Sequence, residues 1–246
     1  MAGGGVSPNL SLQTEKGWQM TYDLVIGDRA YSSWSLRPWL LLTELGIPFT
    51  EQQSRFDGPV NHTKFRHFAP NGKVPCLHHD GDVIWESLAI IEYLAEQHPG
   101  VWPADSKARA YARCAASEMH AGFSNLRGTC PMSVGIRIKL HQISPALQAD
   151  LDRISELWQQ GLQQFGGPFL AGSAFSAVDA FFAPVAFRVQ SYGLPLPAAA
   201  QAYVDRLLQL PGMMAWQQAA LADPYREPSH EAEPLRHGLL VADLRL

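Results

Sequence analysis

Charge is scarce in this sequence. Only 17% of its 246 residues are Asp, Glu, Lys or Arg, against roughly 25% in a typical soluble domain. Nineteen Lys and Arg face 23 Asp and Glu for a formal net charge of -4, with no basic block, so the electrostatic footprint of a nucleic-acid binder is missing. Cysteine is scarcer still. Cys76, Cys114 and Cys130 are odd in number and too far apart for a C-x-x-C pair, which excludes a disulfide framework and a zinc ribbon and fits a reducing compartment. No apolar run reaches the roughly 18 residues of a spanning helix. No basic stretch followed by an apolar one opens the chain, so no signal peptide is read and the protein is expected to be cytoplasmic.

What the sequence does have is apolar content, 46%, on a length that allows one large domain or two small ones at roughly 150 residues each. A disordered chain and a stapled miniprotein are both excluded. Met1 to Met20 is aperiodic and Gly/Ser-tinged, and is read as a flexible extension outside the fold.

From Tyr22 to about His98 the pattern is that of an α/β unit. Tyr22 to Ile26 predicts a buried strand, Ser33 to Leu45 a helix stopped at Gly46, and Ile47 to Thr50 a second strand. Phe56 to Pro70 is irregular, Val74–His79 and Val83–Ile84 predict a hairpin around Asp80-Gly81, and Glu86 to Gln97 predicts a helix. Two prolines and a glycine between His98 and Asp105 mark a boundary. Beyond it the chain reads helical: one stripe from Ala108 through Tyr111, Ala112, Ala115 and Met119 to Leu126, another from Leu147 to Phe165, and a nearly all-apolar helix over Ser176 to Gln190, interrupted by Asp179 and Arg188 and kinked or thinned at Pro184. Shorter helices at Ala198–Leu208 and Gly212–Leu221 precede a polar tail from Asp223, expected to lie on the surface or loose. The alternation of Arg137, Lys139 and His141 with Ile136, Ile138 and Leu140 has no assigned place.

Three junctions carry chemistry. Tyr31-Ser32-Ser33-Trp34-Ser35-Leu36-Arg37-Pro38 stands where strand becomes helix, where unpaired N–H groups and the helix dipole favour a negative charge such as a thiolate; taken alone, plain helix capping by a serine is the stronger account. In Asn71-Gly72-Lys73-Val74-Pro75-Cys76, Pro75 is a candidate cis bond that leaves the Val74 main chain free for an extended ligand, or simply the end of a loop. Trp85-Glu86-Ser87 opens a helix with groups suited to a ligand ammonium and carboxylate, or to an acidic first turn. The three in this order are more specific than any one.

Together these residues resemble the cytosolic glutathione transferases over about Tyr22 to Leu221. The S-S-W-S-L-R run is similar to the S-S-C-S-W-R motif of the zeta class, K-V-P to the family's cis-proline motif, and E-S-L-A-I-I-E-Y-L to the motif opening its third helix. Phe175-Ser176-Ala177-Val178-Asp179 resembles the family's S-x-x-D capping box before its core helix. The resemblance implies an α/β plus all-α fold: a thioredoxin-like glutathione-binding domain at 21–98, a linker at 99–105, an all-helical domain at 106–222 and a C-terminal tail at 223–246.

It also implies glutathione as co-substrate, no metal, a small hydrophobic electrophile, a homodimer and a detoxification role. Counting back from Arg37 assigns the catalytic hydroxyl to Ser32. Ser33 is its neighbour in the glutathione site, with Lys73 toward the glycyl carboxylate, Val74 pairing the cysteinyl part, Glu86 and Ser87 on the γ-glutamyl end, and Pro75 structural. Trp34, His120, Phe123 and Arg127 are candidates for the electrophile pocket, with Met119 and Met132 behind them and core packing favoured for Met119 and Phe123. Arg127 suits an anionic substrate. The zeta class has cysteine where this chain has Trp34, which argues against the zeta isomerase reaction. The cysteines are read as buried small hydrophobes, and Phe56 as the hint of a protruding dimer contact. The expected activity is transfer of activated glutathione to an electrophile; a non-catalytic binding or stress module, a glutathione-dependent peroxidase and an isomerase are the alternatives.

Overall fold

The computed structural model describes residues 22–245; the extension expected at 1–20 lies outside the described residues. β1 (Tyr22–Ile26) leads through a turn into α1 (Ser33–Glu44). Leu36, Leu40 and Leu41 are fully buried, as their helical spacing predicts. Gly46, at φ +64°, ends α1, and the Ile47 N–H still bonds to Leu42 O at 2.9 Å. β2 (Phe49–Gln53) therefore starts two residues later than predicted.

The irregular stretch holds a single 3-10 turn at Gly58–Val60 and the short α2 (Asn61–Phe65). β3 (Cys76–His79) begins only after the cis Val74–Pro75 bond, because proline offers no N–H to a ladder. Asp80 and Gly81, both at positive φ, turn it into β4 (Asp82–Trp85). The sheet order is β2-β1-β3-β4, with β1 parallel to β2 and the other pairs antiparallel. Leu24 lies opposite Glu51 on one side and Leu77 on the other. α3 (Ser87–Ala95) closes this layer.

α4 (Ser106–Ala121) is capped by Asp105, which accepts the Ala108 N–H at 2.8 Å. The stripe predicted to run on to Leu126 is broken at Gly122, where Phe123 takes a left-handed φ of +59° and α5 (Ser124–Thr129) starts. β5 (Ile136–Leu140) and α6 (Pro145–Phe165), capped by Ser144, follow. α7 (Ala177–Tyr192) is the central helix, packed on α1, α4 and β5, and it continues through Pro184 without a break. α8 (Ala198–Leu208) and α9 (Pro211–Ala222) complete the helical layer. At the start of α7, Asp179 is fully buried and accepts the N–H groups of Ser176 and Leu170, each at 3.0 Å, and the Tyr203 hydroxyl at 2.7 Å. The Ser176–Asp179 box thus serves both the helix end and the loop before it.

The tail departs from expectation. Residues beyond Asp223 form α10 (Pro228–Leu235) and β6 (Gly238–Asp243). β6 pairs antiparallel with β5, Ile138 opposite Leu240, and so gives the unplaced Ile136–Leu140 alternation its role. Ile136 and Ile138 face the core while Arg137 and Lys139 face outward. Neither strand is stable alone, and only pairing across a hundred residues supplies their backbone partners.

Candidate functional site

The site is built at the N-terminus of α1. Ser32 is the residue before the helix, and the intrahelical ladder starts with the Leu36 N–H on Ser32 O at 3.2 Å. The first-turn N–H groups point past Ser32 with the positive end of the helix dipole. Ser32 Oγ and Ser35 Oγ share a hydrogen bond of 2.7 Å, and Ser35 Oγ also accepts the Gly27 N–H at 3.1 Å. Because each hydroxyl rotates to suit its neighbours, Ser35 can donate to Ser32 and leave the Ser32 proton free to point outward. The Ser33 hydroxyl instead accepts from Arg188 Nη2 at 3.4 Å.

Two cavities meet here. One of about 500 Å³ is lined by Tyr31, Ser32, Ser33, Phe56, Arg127 and Arg188, among others; a second of about 340 Å³ is lined by Asn71, Pro75 and Glu86, and both share Trp34, Lys73 and Val74. Val74 lies outside the β1–β3 ladder, and its main-chain N–H and C=O make no backbone hydrogen bond among the described residues. Gly72 has φ +65°, and a Cβ there would sit 2.6 Å from the His62 ring, so only glycine lets the loop carrying Lys73 pass under α2. Glu86 adopts φ +69°, a costly conformation for a non-glycine residue, and accepts from Asn71 Nδ2 at 3.1 Å. That outlier aims its carboxylate edge toward the smaller cavity.

Three of the proposed positions line neither cavity. Ser87 is fully buried, lines neither cavity, and accepts from Arg37 Nη1 at 3.4 Å. Phe123 lies in the core, its backbone forming the α4–α5 corner, and lines neither cavity. His120 is also set back. Its ring meets Trp34 edge-on at 5.2 Å, and burial pushes its pKa down, with the Arg37 charge adding to the effect. Met119 is core, as favoured, while Met132 lines the larger cavity. Cys76 and Cys130 are buried, with thiols pushed by burial up to about 11 and about 12, whereas Cys114 is exposed and not the buried residue expected.

Arg127 and Arg188 line the larger cavity together with Lys73 and Glu233, and the buried Arg37 lies behind them. Arg37 lies between the Trp34 and Phe181 rings, 4.3 and 4.7 Å from their centroids, and Arg127 covers the other reach of Trp34 at 4.6 Å. Arg188 spans from Cys130 O, 2.8 Å from its Nε, to Ser33. None of the three makes an ion pair with a carboxylate among the described residues. Burial, followed by the neighbouring guanidinium charges, lowers the Arg37 pKa well below its ordinary value and that of Arg188 to about 10. Arg127 and Arg188 line the cavity without an ion-pair partner among the described residues, which favours an anion there. Of these, sequence reading singled out Arg127 alone, although Arg188 left a signal as the one cation in an apolar helix.

The tail supplies a wall that no motif announced. Tyr31 donates to Glu231 of α10, and Arg245 holds the same carboxylate through both amine nitrogens, the second at 2.8 Å. Phe56, expected to protrude, instead packs within its own chain on His230 at 4.8 Å, and its carbonyl accepts the Tyr225 hydroxyl. Among the described residues no His, Cys, Asp and Glu group is placed to hold a metal, and no helix is long and apolar enough to cross a membrane.

With this geometry in place the likeness to known proteins can be read. Residues 31–97 match the glutathione S-transferase N-terminal domain and residues 140–219 its C-terminal domain. The chain belongs to the glutathione transferase family. Its relatives include maleylacetoacetate isomerase of Rattus norvegicus, 25% identical over 210 residues that span 83% of this chain and 93% of the relative. A zeta-class glutathione S-transferase of Euphorbia esula is 28% identical over 51% of this chain and 60% of that protein. Among solved structures, a glutathione transferase homologue from a Burkholderia, with bound glutathione, superposes with TM-score 0.62 at 23% identity, covering 81% of this chain and 98% of the other. The theta-class enzyme of Xanthomonas axonopodis pv. citri, also with glutathione bound, gives 0.59 at 22% identity over 84% and 100%. The chain therefore has the family's thioredoxin-like first domain and helical second domain.

Proposed function

We propose that the protein activates glutathione as a thiolate at Ser32 and directs it onto a small electrophile that carries an anionic group, as a transferase or as a glutathione-dependent isomerase. The observation that carries this reading is the meeting of the two cavities at Trp34, with Ser32 and the α1 N-terminus at the joint. Glutathione is the co-substrate, its sulfur at Ser32 and its peptide along Val74. Lys73 attracts the glycyl carboxylate, and Glu86, steadied by Asn71, takes the γ-glutamyl ammonium. Pro75 shapes that loop.

Ser32 is not a base. Its hydroxyl, backed by Ser35 and Gly27, hydrogen-bonds the sulfur, and each unit by which the thiol pKa falls from about 8.5 is worth about 1.36 kcal/mol. The larger cavity, with Arg127 and Arg188 unpaired with acids, suits an anionic electrophile, and Trp34 separates it from the peptide site. The isomerase reading, disfavoured by Trp34 in place of cysteine, regains weight from the maleylacetoacetate isomerases among the relatives. Homodimerisation, a cytoplasmic location and a role in detoxification belong to the same proposal.

Calorimetry of glutathione binding tests it, with the ultraviolet signal of bound thiolate followed across pH. Absence of glutathione binding would remove the reading. Turnover of maleylacetoacetate-like substrates against aryl halides separates isomerase from transferase.

A further inference from the structure

Thiolate formation leaves a proton to be placed, and neither Ser32 nor a guanidinium accepts one. The larger cavity also carries His230 of α10. Its ring stacks on Tyr31, at 5.0 Å and 27°, and on Phe56, at 4.8 Å and 22°. Its Nδ1 lies 2.6 Å from Oε2 of Glu227, the buried residue that caps α10 and also accepts the His230 N–H at 2.8 Å and the Ser229 hydroxyl. Burial alone would raise the Glu227 carboxyl, but these donors hold it below its ordinary range and so keep it ionised.

A carboxylate on Nδ1 fixes the tautomer and leaves the Nε2 lone pair free. Nε2 makes no hydrogen bond among the described residues. The other imidazole on this cavity, His62, is exposed and has no carboxylate to orient it. Glu233, the remaining basic group there, lies in the field of Arg188.

We propose that His230, oriented by Glu227, is the acid–base residue of this cavity, taking the thiol proton and returning it to carbon when the electrophile is an electron-poor alkene conjugated to a carbonyl. This rests on the reading of the cavity as the thiol site. The S–H bond of glutathione breaks with its electron pair left on sulfur and its proton on Nε2. That pair forms the C–S bond at the β-carbon, the alkene π pair moves onto the α-carbon and its carbonyl, and the Nε2 proton closes the α-carbon as C–H. The imidazole ends neutral and nothing is oxidised or reduced. If the former double bond rotates before that last transfer, reversal of the addition gives the geometric isomer and returns the proton to sulfur.

The test compares the full-length parent with His230→Ala and Glu227→Gln on two probes, trans-4-phenyl-3-buten-2-one and 1-chloro-2,4-dinitrobenzene. The second loses chloride and needs no proton delivered to carbon. General acid–base catalysis contributes about 100-fold or more, so His230→Ala is expected to lose about 100-fold in kcat on the enone and a smaller, imidazole-rescuable amount on the halide, which draws on His230 only to take the thiol proton, with glutathione affinity within about twofold. Free imidazole should restore part of the enone rate, and Glu227→Gln should fall between parent and His230→Ala. An enone rate within about twofold of the parent overturns the proposal. So does an equal loss on both probes without imidazole rescue, which marks a structural role, and so does a parent that binds glutathione without turning over the enone. A parent that binds no glutathione overturns instead the reading on which the proposal rests.

Discussion

Arg245 Nη1 donates to the Tyr31 hydroxyl at 3.1 Å, across 214 residues of sequence. The contact ties the C-terminal segment to the residue that immediately precedes Ser32. Arg245 is almost wholly buried and also holds Glu231 and Asp243, so the three elements α10, β6 and the α1 junction meet at one guanidinium. Burial lowers the affinity of Arg245 for its proton, but the two carboxylates more than reverse that and keep the group charged.

Loss of this anchor should loosen the wall of the larger cavity and leave the core intact. Arg245→Met removes both ion pairs. Gly135→Ala reaches the same point by packing, because its Cβ would stand 2.4 Å from Arg245 Cδ while the Gly135 carbonyl still accepts the Leu244 N–H at 2.7 Å. In both variants hydrogen exchange should speed up at least tenfold in 228–245, and α7 should stay protected. Uniform exchange across the chain would mean that the anchor is not local.

Ser32→Ala should keep glutathione binding and lose thiolate. A hydrogen bond to a charged partner is worth about 1.5–3 kcal/mol, so kcat/KM is expected to fall by about 10- to 100-fold, with the ultraviolet thiolate transition moved to higher pH. Ser33→Ala, whose hydroxyl faces Arg188, should leave that transition unchanged. The reverse ranking would transfer the role to Ser33.

Arg127 lines the cavity by its guanidinium, over Trp34. Arg127→Gln should raise KM about tenfold for an electrophile bearing a carboxylate, equivalent to about 1.4 kcal/mol, and leave a neutral analogue within about twofold. Equal effects on both would assign Arg127 to packing alone.

The pH dependence has two signs. Asp243 is held at about 2 by Arg226 and Arg245 against the opposing effect of burial, so its contribution to tail docking is complete above pH about 4 and is lost as pH falls through about 2. Glu231 and Glu227 are lowered as well. Asp179 goes the other way: burial raises it to about 6 despite its four donors, so its contribution is full below the ordinary carboxylate range and declines as pH rises through about 6. Acid titration should therefore release 228–245 before α7 unfolds, as read by hydrogen exchange. Asp179→Ala should cost about 3 kcal/mol in global stability by denaturant unfolding, since it strands the Ser176, Leu170 and Tyr203 donors.

Much of the fold was legible because its signals are local. The Tyr22–Ile26 strand, the Gly46 stop, the Asp80-Gly81 turn and the Ser176–Asp179 box each follow from a few neighbouring residues, whose propensities and caps act within one or two turns. The same locality explains the misses. Ser87 has the residue type and position of a ligand contact, yet it is buried and its hydroxyl is taken by Arg37. Phe123 continues a helical stripe by spacing, yet Gly122 ends the helix one residue earlier. Ser35 stood in the quoted motif, and only its contact with Ser32 gives it a function.

By itself the sequence determined most elements of the first domain, the boundary after it and the three junctions proposed to hold a thiol peptide, since backbone stereochemistry and apolar periodicity are written residue by residue. The tertiary structure alone decided that Arg37, Arg127 and Arg188 converge, that β6 finds β5, and that His230, held by Glu227, lines the same cavity as Ser32. Those relationships join residues up to two hundred positions apart, and the burial that creates them depends on the whole fold. No local pattern of side chains carries that information.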